Sequence, residues 1–449
     1  MKLTFHGGAR MVTGANYLLE DAKGQKILVD CGLHQGSSFC EQHNWEDFPY
    51  DPEKISAVFI THAHIDHIGR LPKLARDGFR GTVYSTPPTR DFAQLMLLDS
   101  DHILAGEARR LKKPPLYSEA DINKLLERWQ TVDYHQEVSH GSFKAAFHNA
   151  GHILGSAFIV IEAEGKRLVF SGDLGNAPAP IIGPWEIFEG RADYCLVEST
   201  YGDRIHEQPQ ERKNILEDLI EDTVKSRGVL MIPAFAMERT QELLFEINEL
   251  FEQGRVPRAP IFLDSPLAIK LTEVYRQYDR YFVHPTPSVS EMGHLFKLPS
   301  LHFSLTTEES KKINDVKPPK IVIAGSGMSH GGRIVHHERR YLPDPNSTLL
   351  MVGYQASGSL GRQILNGARS VNILGEPVPV RCRVKAIGGY SAHADQKQLL
   401  DWLRPMRRNL KKVFTVQGEE SASAALARKI IDELAVQALV PEMGQEVVL

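Results

Sequence analysis

The chain has 449 residues, too many for one ordinary core, so two domains or one domain with a large insertion are expected. Hydrophobic residues make up 42% and charged residues 24%, a globular composition, and no apolar run approaches the roughly 20 residues that cross a bilayer. The net charge of −4 excludes a generic whole-surface nucleic-acid binder but leaves room for a local basic groove.

The opening MKLTFHGGAR reads as a first strand rather than a signal peptide. Cys31, Cys40, Cys195 and Cys382 lack CxxC spacing and suggest no disulfide framework, so a reducing cytoplasm is the expected location. Up to residue 205, short β-type runs dominate: Lys2–Phe5, Lys26–Asp30, Ala57–Thr61, Gly81–Ser85, Ser156–Ile161 and Arg167–Phe170. One helix is predicted over 119–130, with Ile122, Leu125, Leu126 and Trp129 on its apolar face. From Pro209 the pattern changes to helix (210–227), strand (Val229–Pro233), helix (Glu238–Gln253), strand (Ile261–Leu263) and helix (Leu267–Tyr278). A loop-rich part, 281–319, precedes strands at Lys320–Ala324 and Thr348–Val352. Alternation of this kind predicts a mostly parallel sheet with helices on its faces. From about 372 the chain returns to strands, Val378–Ile387 and Lys412–Gln417, each followed by a helix. No further RNA-binding module is expected after them.

The strongest chemical signal is Ala57–Arg70, AVFITHAHIDHIGR. An apolar strand runs into His62, His64, Asp66 and His67, four ligand-type side chains within six residues. Histidines at i and i+2 of an extended segment point to one side, and the following turn can bring Asp66 and His67 to the same point. Imidazole and carboxylate are donors that zinc, manganese and iron accept. A histidine-rich surface loop is the plain alternative. His152, before an apolar strand in HNAGHILGSA, and Asp173, ending LVFSGD, stand where a sheet would deliver further ligands to the same edge. Alone, His152 could equally be a core histidine. Asp30, ending KILVD, is either a group that orients a ligand or a turn cap.

This constellation resembles the metallo-β-lactamase superfamily. The resemblance implies an α/β fold: an αββα sandwich with its metals at one edge of two packed sheets. It assigns His62, His64 and His152 to one zinc, Asp66 and His67 to a second, and Asp173 to both, with a hydroxide between them as nucleophile. The long α/β block in the middle and the late SAHAD (391–395) resemble the β-CASP branch, which acts on nucleic acids. HGGARMVTGANYLL, VDCGLHQG, THAHIDHIGRLPKL, VESTYGDR, IPAFAMERTQELL, AGSGMSHGGRIVHH, VGYQASGSLGRQI and GGYSAHADQ carry that resemblance along essentially the whole chain. It implies residues 1–208 and 372–449 as two parts of the metallo-β-lactamase domain, with an inserted β-CASP domain at 209–371 whose parallel sheet is flanked by helices. It also implies that His393 protonates the leaving oxygen and that Glu198 fixes its orientation.

One position departs. RNA-acting members usually carry a histidine before Gly-Glu in a strand like Val413–Glu419, and that histidine adds a ligand to the second metal. Here Gln417 occupies the position. An amide is a poorer zinc ligand than imidazole, so a weaker second zinc site, open to manganese, is expected.

AGSGMSHGG (324–332) follows an apolar strand, and its glycines free backbone N–H groups to approach phosphate, although on these residues alone a plain tight turn is the commoner reading. VGYQASGSLGRQI (352–364) is a second loop of this type. By resemblance Ser326, Gly327, Ser329, Ser357 and Arg362 are candidate substrate contacts in a groove between domains. Arg109, Arg110, Lys112 and Lys113 read as a solvated basic face, and His336 and His337 as surface or groove residues.

The leading expectation is a metal-dependent ribonuclease that cuts single-stranded RNA internally, with 5′ exonuclease activity as an extension. A DNA nuclease, an RNA-binding subunit weakened by Gln417 and a small-molecule hydrolase are the alternatives. A homodimer is implied by resemblance only, and no membrane association is expected.

Overall fold

The computed structural model describes residues 1–36, 41–206, 209–282, 300–353, 355 and 358–449. The chain forms two compact units. One comprises Met1–Ala177, Gly183–Ile205 and His393–Leu449, and the other Pro178–Ile182 and His206–Ala392.

The first unit contains two seven-stranded sheets among the described residues. In one, Glu446–Val448, Lys2–Gly7, Asn16–Glu20 and Lys26–Val29 pair antiparallel, and Ile55–Phe59, Thr82–Ser85 and Trp129–Thr131 continue in parallel. In the other, Glu137–His140, Phe143–Asn149, Ala157–Ala163 and Lys166–Phe170 run antiparallel, then Tyr194–Glu198, Lys412–Val416 and Ala438–Leu439 add in parallel. The period of two along a strand builds the layers. From AFIVIEA, Ile159 and Ile161 enter the core shared by the two sheets with Phe5, Phe59, Phe147 and Phe414. Phe158 and Val160 point the other way, into a core closed by Leu399, Trp402 and Leu403 of the helix Gln396–Leu403 and Leu426 of the helix Glu420–Lys429. The helices Leu71–Arg76, Pro87–Leu111 and Glu119–Leu126 pack together beyond the first sheet, with Pro87–Leu111 touching the strand Trp129–Thr131. The result is an αββα sandwich.

The second unit is built on six parallel strands, in the order Leu301–Phe303, Ile261–Asp264, Lys320–Ala324, Val229–Pro233, Thr348–Met351 and Arg383–Ala386. Its central strands are buried at every position, as expected of a parallel sheet with both faces covered.

Several elements differ from the sequence reading. Residues 119–130 are not one helix. The helix ends at Leu126, and Trp129 is a buried strand residue whose indole N–H donates to Ser85 Oγ at 2.8 Å. The 25-residue helix Pro87–Leu111 was not anticipated. Its two prolines sit in the first turn, where a missing N–H costs nothing, and its apolar face is interrupted by Asp99–His102. Val378–Ile387 is not one strand: Glu376–Pro379 closes a hairpin with Ser370–Ile373, and Arg383–Ala386 pairs with Thr348–Met351. That pairing keeps the chain in the second unit up to Ala392, beyond the expected return at 372. Within 281–319, the described residues include the strand Leu301–Phe303 and the helix Thr307–Lys312. Cys31, Cys195 and Cys382 are free and buried, while Cys40 lies outside the described residues.

The parallel strands of the sandwich end at one edge, and Asp30, His62, Asp173, Glu198 and Gln417 all follow or close such strand ends. Close backbone approach there has a specific cost. A Cβ on Gly32 would lie 1.5 Å from the Asp66 carbonyl oxygen, which is itself bonded to the Ala15 N–H. Gly32→Ala is therefore expected to destabilise the first unit by about 1–3 kcal/mol and to weaken metal binding. Denaturant unfolding and zinc titration of the variant check this, and an unchanged unfolding midpoint would contradict it.

Candidate metal centre

The segment Thr61–His67 is held from behind. Asp30 Oδ1 accepts the Thr61 N–H at 2.9 Å, and its Oδ2 accepts the Thr61 hydroxyl at 2.8 Å. The same Oδ2 lies 2.8 Å from His67 Nδ1. One buried carboxylate therefore positions both the start of the loop and the ring of its last histidine, the arrangement by which outer carboxylates orient metal-ligating histidines. His64 is the extended residue that opens the short helix Ile65–Ile68, whose first turn carries Asp66 and His67.

His62 Nε2, His64 Nδ1 and His152 Nε2 converge. His64 Nδ1 lies 3.0 Å from His62 Nε2 and 3.1 Å from His152 Nε2. Asp173 Oδ2 is 3.3 Å from His62 Nε2 and 3.5 Å from His152 Nε2. All four donor atoms lie within 4.8 Å of one another. A tetrahedral zinc with bonds of about 2.0–2.1 Å sets its ligands about 3.4 Å apart, so the donor set fits zinc in type and spacing. Burial lowers the pKa of His62, His64 and His152, which keeps them neutral and able to offer lone pairs. Burial opposes the charge on Asp173, but His67, His62 and His393 hold its carboxyl well below the usual range.

Asp173 also faces the other side of the centre. Its Oδ1 is 3.4 Å from His67 Nε2, and Asp66 Oδ2 is 3.9 Å from that nitrogen. Burial works against a charge on His67, yet Asp173 and Asp30 on its two sides raise its pKa strongly. This pocket favours positive charge, whether a second proton or a cation. Gln417 stands beside it, fully buried in positive φ at +50°. Its amide nitrogen donates to Asp173 Oδ1 at 2.7 Å and sits 2.9 Å from His67 Nε2, while its amide oxygen accepts the Tyr17 hydroxyl at 3.4 Å. In this orientation Gln417 presents N–H where an imidazole would present a lone pair.

A third group adjoins the centre. Asp173, Glu198 and His393 form a cluster of donors within 4.8 Å. His393 Nδ1 lies 3.2 Å from Glu198 Oε2 and 3.8 Å from Asp173 Oδ2, and its ring centroid is 4.7 Å from that of His152. Glu198 is anchored: its Oε1 accepts the Leu174 N–H at 2.6 Å and its own N–H donates to Ser171 Oγ at 2.9 Å. Burial alone would lower His393, but Glu198 and Asp173 raise it to about 9. Two His/Asp clusters able to hold metal thus share Asp173.

Of the candidate substrate residues, Ser326 accepts the His330 N–H at 3.0 Å, and Gly327 is buried with its carbonyl accepting Gln355 Nε2 at 2.9 Å. Ser329 is also buried and donates its hydroxyl to Glu338 at 2.5 Å, so that hydroxyl braces the loop from inside. Arg362 is half-buried on the helix Leu360–Leu365, and Ser357 lies outside the described residues. His336 is exposed, but His337 is not a surface residue: it is buried with Nε2 2.8 Å from Asp264 Oδ2. Sequence reasoning missed Tyr17, Thr61 and Ser171. Thr61 was legible as the hydroxyl directly before His62; nothing local marks Tyr17, which meets Gln417 from 400 residues away.

Comparison with known proteins agrees with this geometry. Residues 11–219 match the metallo-beta-lactamase superfamily, 240–364 the Beta-Casp domain, and 377–441 the Zn-dependent metallo-hydrolase RNA specificity domain. The chain is 40% identical to Ribonuclease TTHA0252 of Thermus thermophilus, over 95% of each chain. It is 31% identical to an RNase J-like protein of Methanocaldococcus jannaschii, over 98% of each. It is also 31% identical to transcription termination factor FttA of Methanosarcina mazei, over 97% of this chain and 70% of that one. A crystal structure of a protein of unknown function from Enterococcus faecalis shares the fold at a TM-score of 0.55 and 11% identity, covering 100% of this chain and 99% of that one.

Replacing Gln417 by histidine exchanges an N–H donor for a ligand and is expected to tighten the second metal equivalent by about 10–100-fold, leaving the first unchanged. Zinc calorimetry on parent and variant measures this, and equal second-step affinities would show that Gln417 does not limit the site.

Proposed function

The chain belongs to the metallo-β-lactamase superfamily, in its β-CASP branch, and on that premise we propose that it is an endoribonuclease that cuts single-stranded RNA with two zinc ions. It is a zinc-dependent hydrolase acting on phosphodiester bonds. The sharing of Asp173 between the histidine cluster and the Glu198–His393 pair carries the reading, because it sets a metal-binding group and a proton donor against the same carboxylate.

His62, His64, His152 and Asp173 would hold one zinc, and Asp66, His67 and Asp173 the other, with Gln417 beside it. Zinc bound there supplies an activated water and stabilises charge on the phosphoryl oxygen. The chain's own residues do the rest. Asp30 and Thr61 keep the His67 ring in place. Glu198 engages His393 through Nδ1, so that a proton on Nε2 stands on the opposite edge of the ring for delivery to the leaving oxygen. Burial of these groups limits competing water and strengthens their electrostatics. His393 and Glu198 act on the leaving group, and Ser326, Gly327, Ser329, Ser357 and Arg362 belong to the glycine-rich segments proposed to meet the RNA. No described helix is long and apolar enough to cross a membrane. Discrimination against DNA, 5′ exonuclease action, a homodimeric state and a cytoplasmic location extend the same reading.

Matched 5′-labelled single-stranded RNA and DNA, incubated with zinc or manganese, test it. The parent should cleave the RNA, His62→Ala should abolish cleavage, and retained RNA binding without cleavage by the parent would point to a binding subunit instead. Glu198→Gln is expected to lower kcat by about 10²–10⁴-fold with little change in KM, since it acts through His393. A pure rise in KM would place Glu198 in substrate binding.

A further inference from the structure

Away from the centre, the first unit brings together His135, His148 and Glu186. Each offers one donor atom within 4.8 Å of the others. His135 Nε2 lies 3.3 Å from Glu186 Oε1, and His148 Nδ1 lies 3.5 Å from Glu186 Oε2. The two rings are 5.1 Å apart and inclined at 78°. These N···O separations lie near the roughly 3.4 Å edge of a tetrahedron around zinc.

The three side chains come from separate stretches, yet all are tied to one strand. His148 belongs to Phe143–Asn149 itself, and its ring is stacked on Phe158 at 4.9 Å and met at its edge by Phe188 at 5.6 Å. His135 adopts positive φ, +65°, and its N–H donates to the Phe147 carbonyl at 2.8 Å. The Glu186 N–H donates to the Asn149 carbonyl at 2.9 Å. Packing fixes the His148 ring, and the backbone bonds hold His135 and Glu186 beside its strand, which lowers part of the ordering cost of binding.

We propose that His135, His148 and Glu186 form a peripheral divalent-metal site, of zinc type, separate from the catalytic pair. Two imidazoles and a carboxylate are a zinc donor set, and the exposure of His135, at 62%, leaves a coordination position to water. The site ties residues 183–188 to the strand that leads into His152. Asn149 reinforces that junction, since its amide donates to the Pro184 carbonyl at 3.2 Å and its side-chain oxygen accepts the Gly151 N–H at 2.9 Å. The ion is a brace for the loop delivering a ligand of the centre, and takes no part in the chemistry.

The test is zinc content and zinc affinity of the full chain at micromolar free zinc, for the parent, His135→Ala and Glu186→Gln. Both variants alter half-exposed or exposed side chains and leave the central ligands intact. The parent should hold one more equivalent than either variant, and zinc should raise its melting temperature more than theirs. RNA cleavage at saturating zinc should be unchanged in both. Equal metal content and equal affinities in all three proteins would overturn the site. Loss of the extra equivalent in only one variant would overturn this donor set.

Discussion

The first unit depends on a buried negative charge, the carboxylate of Asp173, for which the fold must supply positive or donating partners. Asp173 is 3% exposed, and a charge so placed is costly unless it is paired. His62, His67, His152, His393 and the Gln417 amide all turn toward it. Those five residues come from four separate parts of the chain, so the carboxylate acts as a register mark for the edges of the sandwich. If Asp173 were misplaced, several imidazoles and an amide would lose a shared partner at once. That coupling makes the centre a unit rather than a set of independent ligands.

The second unit solves a similar problem with a different cast. Its parallel sheet sends backbone loops from the carboxyl ends of the strands, and those loops need fixed polar partners. Asp264, at the end of Ile261–Asp264, receives Arg333 Nη1 at 2.7 Å, the Ser310 hydroxyl at 2.6 Å and His337 at 2.8 Å. Burial would raise its pKa, but His337, Ser310 and Arg333 hold it below the usual value. Ser329 and Glu338 brace the same glycine-rich segment from within. Arg212 and Tyr390 both engage Glu246, which ties the first helix of the unit to its last turn. Polar groups inside this unit serve mainly to hold loops in shape, which is why Ser329 and His337 are internal struts although their sequence setting suggested surface roles.

Local spacing was enough to read much of the metal centre. His62, His64, Asp66 and His67 lie within six residues, and His152 and Asp173 sit at strand ends, so strand geometry alone could aim them at one edge. The α/β alternation of the middle block was legible for the same reason, since fully apolar runs such as VLMIP and KIVIA leave few other structures open. Elements with weak periodicity were not. The helix Pro87–Leu111 begins with two prolines and carries a polar break, and the antiparallel strand Phe143–Asn149 has alternation that its alanines and His148 blur.

By itself the sequence determined the kinds of donor, their clustering and the alternation of layers, because these follow from short-range periodicity and ligand chemistry. Tertiary structure alone decided which nitrogen each histidine offers, with His64 using Nδ1 and His62 and His152 using Nε2. It also decided that Asp30 holds Thr61 and His67 together, that Tyr17 turns the Gln417 amide, and that Arg383–Ala386 joins the parallel sheet rather than the sandwich. Apart from the approach of His62 to His64, each of these is a contact between residues far apart in the chain. Ring orientation, amide direction and strand partner are set by packing and hydrogen bonding after the chain has closed on itself, and no local pattern encodes them.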